Sequence, residues 1–233
     1  MWRTCWRPLM RPLPAAILVV LGGCSTSPAA HDEDRPWAAR WTFDETAPGG
    51  IPPGWFVDET NPTGTLAAWS ITADAGAPSP PNVMALTASR NYDGTYNLAI
   101  AEESSWVNLD LTVMVKAVAG VEDQGGGPIW RCRDKDNYYI CRINPLESNY
   151  RVYYVKGGRR RQLDSARVEL EANRWYELRI VTIGPDITCY LDGRPMLEVV
   201  DDTFGEPGMV GLWTKADAVT SFDNLTLRAP SAR

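Results

Sequence analysis

Asp-Gln-Gly-Gly-Gly-Pro-Ile-Trp-Arg (residues 123–131) opens a near-continuous series of short β segments that runs to Val-Thr-Ser-Phe-Asp-Asn-Leu (219–225). Within it, apolar and polar residues alternate with the period of a half-buried strand, and turn residues punctuate each run. Asn91-Tyr92-Asp93-Gly94, Lys156-Gly157-Gly158 and Asp192-Gly193 are such breaks. Asp192-Gly193 is the clearest hairpin: Asp-Gly supplies the positive φ angles of a type I′ turn, so Asp192 reads as turn chemistry rather than catalysis. Outward from this block, strands are predicted over 40–44, 66–71, 83–88, 95–101, 107–118, 127–133, 138–144, 149–155, 161–166, 174–183, 186–192, 195–200, 208–214 and 219–228. No stretch carries helical periodicity with caps. Many short strands at this spacing predict an all-β, two-sheet antiparallel jelly-roll sandwich.

The first residues read as targeting signal. Arg3, Arg7 and Arg11 precede a short apolar run, Leu13 to Leu21, too short to span a bilayer as a helix. Leu21-Gly22-Gly23-Cys24 resembles a bacterial lipobox, which implies a signal peptide over 1–23 and lipidation of Cys24. Residues 24–36 read as a flexible tether, and 37–230 as one domain. Ser25 in place of Asp favours the outer membrane over inner-membrane retention. The expected location is therefore the cell envelope, on its periplasmic or surface side. Three of the 23 Lys and Arg precede Cys24 and all 29 Asp and Glu follow it, which leaves the mature chain strongly acidic. That field argues against nucleic acid as a partner.

His31 is the single histidine and sits in the tether. Ser-His-Asp triads, Cys-His pairs and His-based zinc sites are thus excluded from the domain. Cys132, Cys141 and Cys189 lack a Cys-x-x-Cys spacing. Cys189 shares an apolar parity with Ile187 and Leu191 and reads as core. Gly125-Gly126-Gly127 lacks the Lys-Ser/Thr of a phosphate loop and reads as a place where backbones approach closely.

Parity assigns faces along 129–155. Pairing near Arg133 and Tyr138 puts Trp130, Cys132, Tyr139, Cys141 and Ile143 on an apolar core face. The opposite face then carries Arg131, Arg133, Tyr138 and Arg142. Pairing Asn144 with Asn149 adds Arg151 and Tyr153 to it. Four Arg and two Tyr on one surface of an acidic protein suit sugar recognition, through stacking and forked donors. The alternative is a solvated face whose Arg are paired with neighbouring carboxylates. In this register Cys132 and Cys141 share a face as diagonal neighbours, which favours free thiols. Asp44 and Asp223, near the two ends of the domain, approach each other if the first and last strands pair. With backbone carbonyls they form a candidate structural Ca²⁺ site. No other cofactor is expected.

Several motifs resemble a known family. They are Glu122-Asp123-Gln124-Gly125-Gly126-Gly127, Asp136-Asn137-Tyr138-Tyr139, Cys189-Tyr190-Leu191-Asp192-Gly193, Asp201-Asp202-Thr203-Phe204 and the segment from Gly208 to Asp217. These resemble bacterial concanavalin A-like (laminin G-like) domains near the 3-keto-disaccharide hydrolase group, over about residues 95–228. The resemblance implies a jelly roll with a groove on its concave sheet. The Glu-x-Asp-x-x-Glu strand motif of laminarinase-type jelly rolls is missing. The leading expectation is non-catalytic carbohydrate binding by a lipid-anchored protein. Two alternatives stand beside it. One is a glycoside-cleaving enzyme using Glu102, Glu103 or Asp123. The other is a structural or adhesion module with a protein partner.

Overall fold

The computed structural model describes Met1 and residues 38–231. The expected signal peptide, Cys24, the tether with His31, and Trp37 lie outside the described residues. Fifteen strands follow one another: β1 (Ala39–Trp41), β2 (Trp55–Thr60), β3 (Ala68–Ala73), β4 (Asn82–Ala88), β5 (Tyr96–Trp106), β6 (Leu109–Ala119), β7 (Gly126–Asp134), β8 (Asn137–Asn144), β9 (Asn149–Lys156), β10 (Arg159–Arg167), β11 (Trp175–Ile183), β12 (Asp186–Leu191), β13 (Arg194–Val200), β14 (Gly208–Lys215) and β15 (Val219–Arg228). They form two antiparallel sheets. One has eight strands, ordered β13-β12-β11-β6-β15-β4-β3, with β1 paired to β15; the other has seven, ordered β10-β9-β8-β7-β14-β5-β2. This is the predicted all-β jelly-roll sandwich.

Strand β2 is the one element that sequence reading passes over. It carries an acidic pair, Asp58-Glu59, a composition depleted in strands. The structure accommodates Glu59 because its buried carboxylate accepts from the Ala67 amide at 2.7 Å and from Asn91 Nδ2 at 2.6 Å. The hairpin at Asp192-Gly193 forms as expected, with φ of 48° and 75° at the two turn residues.

The main core lies between the sheets. Trp130 stacks on Tyr139 with centroids 5.4 Å apart, and Phe204 packs edge-on to Tyr139. Leu111, Val113, Leu178 and Ile180 line the facing sheet. Trp55, Trp69, Trp130 and Trp213 are all buried, in keeping with a core role for most tryptophans.

A second apolar cluster lies on the outer face of the seven-stranded sheet. It joins Leu98, Ile100, Ile129, Tyr138, Ile140, Val155 and Trp213. That sheet curls on itself until its two edges touch. Asn61, just past edge strand β2, donates through Nδ2 to Gly158 O in the β9–β10 turn at 2.8 Å. Thr60 reaches Lys135 O in the β7–β8 turn and lies 2.9 Å from the Tyr138 hydroxyl. From the other edge, Arg160 of β10 lays its guanidinium over Tyr153, Tyr96 and Trp213, at 4.5, 5.1 and 5.8 Å from the ring centroids. Twisted strands coil a sheet in this way, so opposite corners approach.

One bulge changes the expected face assignment. Asp134 pairs with Asn137, as the loop predicts, but the ladder resumes at Trp130 opposite Tyr139, two residues out of step. Arg131 carries the irregularity, with φ of 46°. A left-handed residue at a bulge turns the following side chain to the other side of the sheet. Trp130 and Arg131 therefore both point inward, while Cys132 joins the outer cluster. Cys132 and Cys141 lie on opposite faces, not on one face as parity predicts. All three described cysteines are free and buried.

Candidate functional site

Strands β8 and β9 pair as predicted: Asn144 opposite Asn149, Arg142 opposite Arg151, Ile140 opposite Tyr153. Arg142, Arg151 and Tyr153 thus share the outer face. Glu147, in the turn between the strands, ties them together. Its Oε2 accepts from Arg142 Nη2 at 3.0 Å, Arg151 Nη1 at 2.9 Å and Asn149 Nδ2 at 2.9 Å. Arg142 also donates to Asn149 Oδ1 at 2.7 Å and to the Tyr153 hydroxyl at 3.3 Å. Burial alone would raise the Glu147 carboxyl. Hydrogen bonds from Asn149 and Arg142, and the charges of Arg142 and Arg151, outweigh it and hold the group down at about 2.

A second carboxylate joins from the neighbouring strands. Asp123 precedes β7 and is buried. It accepts from Asn144 Nδ2 at 3.0 Å and pairs with Lys215 Nζ of β14 at 3.2 Å. Burial raises its carboxyl above the ordinary value, with Arg142 and Lys215 pulling the other way and Glu147 adding repulsion. Asp217 fixes the Asp123 backbone. Its carboxylate accepts from the amides of Val121 (2.8 Å), Glu122 (3.0 Å) and Asp123 (3.0 Å). Gly125-Gly126-Gly127 then lets β7 pass hard against β8: a Cβ on Gly127 would sit 1.9 Å from Cys141 O.

The result is a polar cluster at the edge of the second apolar cluster. Asp123 and Arg142 form its buried base, while Glu147 is 43% exposed and Arg151 30% exposed. Tyr153, Tyr96 and Arg160 form the wall toward the apolar side. The pairing of Arg with a neighbouring carboxylate is present at Glu147, where Arg142 and Arg151 meet, and it coexists with a convergent site.

The other expected residues fall elsewhere. Arg131 does not join this face. It is 1% exposed and crosses to the eight-stranded sheet, donating to Val107 O (2.8 Å), Phe204 O (2.8 Å), Thr182 Oγ1 (2.9 Å) and Gly184 O (2.6 Å). It is a clamp between sheets, placed there by the bulge. Arg133 follows it to the same side and lies 5.3 Å from the Phe204 ring. Tyr138 is on the outer face but fully buried in the second apolar cluster. Glu102 and Glu103 lie six and seven residues along β5 from Tyr96, about 20 Å at strand rise, and are exposed.

Strand β1 pairs with β15, as the calcium expectation requires. Asp223 accepts from Ser79 N at 2.7 Å and Asn224 N at 2.6 Å; Asp44 accepts from Asn82 N at 3.0 Å. Burial raises Asp223 to about 6, and the charge of Asp44 adds to this. Among the described residues, no group of three or more His, Cys, Asp and Glu is placed to hold a metal ion. A cation here would lean on backbone oxygens for most of its six to eight ligands.

Parity had no means of finding Glu147, Lys215, Asp217 and Arg160, which come from turns and from strands β10 and β14, outside the segment from β7 to β9. The Arg159-Arg160-Arg161 run and the Gly208 to Asp217 segment were the only traces.

The family described as the 3-keto-alpha-glucoside-1,2-lyase-like domain matches residues 57–228. The chain belongs to this family. The sequence matches no curated protein. Among solved structures it is similar to the carbohydrate-binding module CBM66 from Bacillus subtilis, with a TM-score of 0.58, 19% identity, and coverage of 76% of this chain and 96% of that one. It is also similar to a non-specific endo-beta-1,3(4)-glucanase of family GH16, at TM-score 0.58 and 11% identity over 86% of this chain and 93% of that one. A Bacillus licheniformis beta-glucanase gives 0.54 and 12%, over 83% and 98%. At these identities the likenesses establish the concanavalin A-like jelly roll.

Proposed function

We propose that this 3-keto-glucoside lyase-like domain binds a glycoside at the polar cluster around Arg142, Arg151 and Tyr153, without turning it over. The carrying observation is the cluster's form: a rigid, buried donor base, a solvent-reaching rim, and the Tyr153 ring beside it. Forked donors hold sugar hydroxyls in this way, and the Tyr153 ring, buried under Arg160, backs the donors and holds them in place. A lipid on Cys24 would tether the domain to the bacterial envelope. Isothermal titration against a neutral oligosaccharide panel tests the binding. Arg151→Ala and Tyr153→Ala should each weaken it about tenfold, the order expected for loss of one charged hydrogen bond. No heat with any saccharide would end this reading.

A second reading is catalytic, and Asp123 favours it. Two carboxylates in one site, one held ionised and one raised by burial, are a recurring acid–base arrangement. In a 1,2-elimination from a 3-keto-glucoside, Asp123 would take the proton from C2. The developing enolate oxygen would accept hydrogen bonds from the Arg donors; as the enolate re-forms the ketone the C1–O bond would break, a C1–C2 double bond would form, and the departing oxygen would take the proton back from Asp123 and leave as an alcohol. Incubation with 3-keto-glycosides, with Asp123→Asn as control, separates the two readings: turnover lost in the variant selects the enzyme.

Calcium at Asp44 and Asp223 is a further, structural proposal. A divalent cation would relieve the repulsion between the two carboxylates.

A further inference from the structure

We infer that the site selects saccharides bearing a carboxylate, received between Arg142 and Arg160 across the Tyr153 ring. This rests on the reading that the cluster holds a glycoside, and adds which kind. Arg142 is 1% exposed, and its Nε has no hydrogen-bond partner although both terminal nitrogens are engaged. Nη1 of Arg160 is likewise buried without a partner. The two guanidinium carbons lie 5.9 and 4.5 Å from the Tyr153 ring centroid. Buried donors without acceptors are rare because each forfeits its solvation. Two of them, both on cations and both beside one ring, form a place for an acceptor that the protein does not itself supply.

Charge selects among acceptors. Among the described residues no carboxylate lies within ion-pair distance of Arg160, whose charge rests on three aromatic faces. Around Tyr153 stand Arg142, Arg151, Arg160 and Lys215 against Asp123 and Glu147, with Glu122 further out, 3.7 Å from Lys215. A sugar hydroxyl fills the hydrogen bond but leaves Arg160 without a counter-charge. A carboxylate fills both, and its two oxygens match guanidinium geometry.

The test compares trigalacturonic acid with its methyl ester, which keeps the backbone and removes the charge. Titration calorimetry on the full chain should give about tenfold or more tighter binding of the acid, the scale of one charge-assisted hydrogen bond. Added salt should narrow the difference. Arg160→Gln, which removes a charge holding no hydrogen bond in the fold, should erase the preference of the site for the acid over the ester. Equal or tighter binding of the ester, or of a neutral oligosaccharide, overturns the charge selection while the glycoside site stands. A preference that survives in Arg160→Gln also overturns it. If neither the acid, the ester nor the neutral panel binds, the site reading itself falls and takes this inference with it.

Discussion

Glu147→Gln isolates the electrostatics of the candidate site. The side chain keeps its shape and one acceptor oxygen but loses its charge. In the folded protein Arg142, Arg151 and Asn149 all donate to one Glu147 oxygen. Moving a carboxyl from its ordinary 4.5 down to about 2 corresponds to roughly 3 kcal/mol of preference for the ionised form. Glu147 is 43% exposed, so solvent screens much of this, leaving about 1 kcal/mol. The sign follows from the depressed value. This stability is fully present above pH 4.5 and is lost as pH falls toward 2. Urea denaturation of wild type and Glu147→Gln at pH 7, 4.5 and 3 reads the difference directly, since every other titrating group cancels. The wild type should be about 1 kcal/mol more stable at pH 7, with the gap shrinking steadily on acidification. A gap that stays constant from pH 7 to 3 would refute the charged-hub assignment and leave only a packing role.

Three further outcomes follow from other features. Arg131→Met should cost about 3 kcal/mol in denaturant unfolding, because two buried and two part-buried acceptors lose one cationic donor; a loss below 1 kcal/mol would contradict the clamp. Asp223, raised to about 6, contributes stability when protonated, present below its ordinary 3.8 and lost as pH rises through 6. Relative to wild type, Asp223→Asn should therefore gain about 2 kcal/mol between pH 4 and pH 7; millimolar Ca²⁺ at pH 7 should raise the wild-type melting temperature and leave the variant's unmoved. Gly127→Ala should destabilise by about 3 kcal/mol or more, because its methyl would meet Cys141 O at 1.9 Å and backbone cannot yield; an unchanged melting temperature would show that β7 can shift.

Much of the fold was legible because strand alternation and turn residues are local. The β8–β9 register came out correctly from one turn, Pro145-Leu146-Glu147-Ser148, and it placed Arg142, Arg151 and Tyr153 together. Parity failed at Arg131, where a single left-handed residue broke the count, and nothing in Trp130-Arg131-Cys132 announces it. Curvature was equally hidden. The meeting of Asn61 with Gly158 joins residues 97 positions apart, and only that meeting explains why Tyr138 is buried on what alternation marks as a surface. Glu147 looked like an ordinary turn residue until the strands on both sides had delivered their Arg to it.

The curl also divides the two sheets by how freely they can vary. In β11, buried and half-buried residues alternate without interruption from Trp175 to Ile183, so every second position faces outward. In β8 every residue from Tyr138 to Asn144 is buried. That strand has one hydrophobic interior on each side and no side left over. Substitutions can accumulate along half of β11 at little cost, whereas each change in β8 disturbs one interior or the other. A lineage exploring new ligands would therefore do so by altering the turns and rim around β8, with the strand itself held as the axis about which they are arranged.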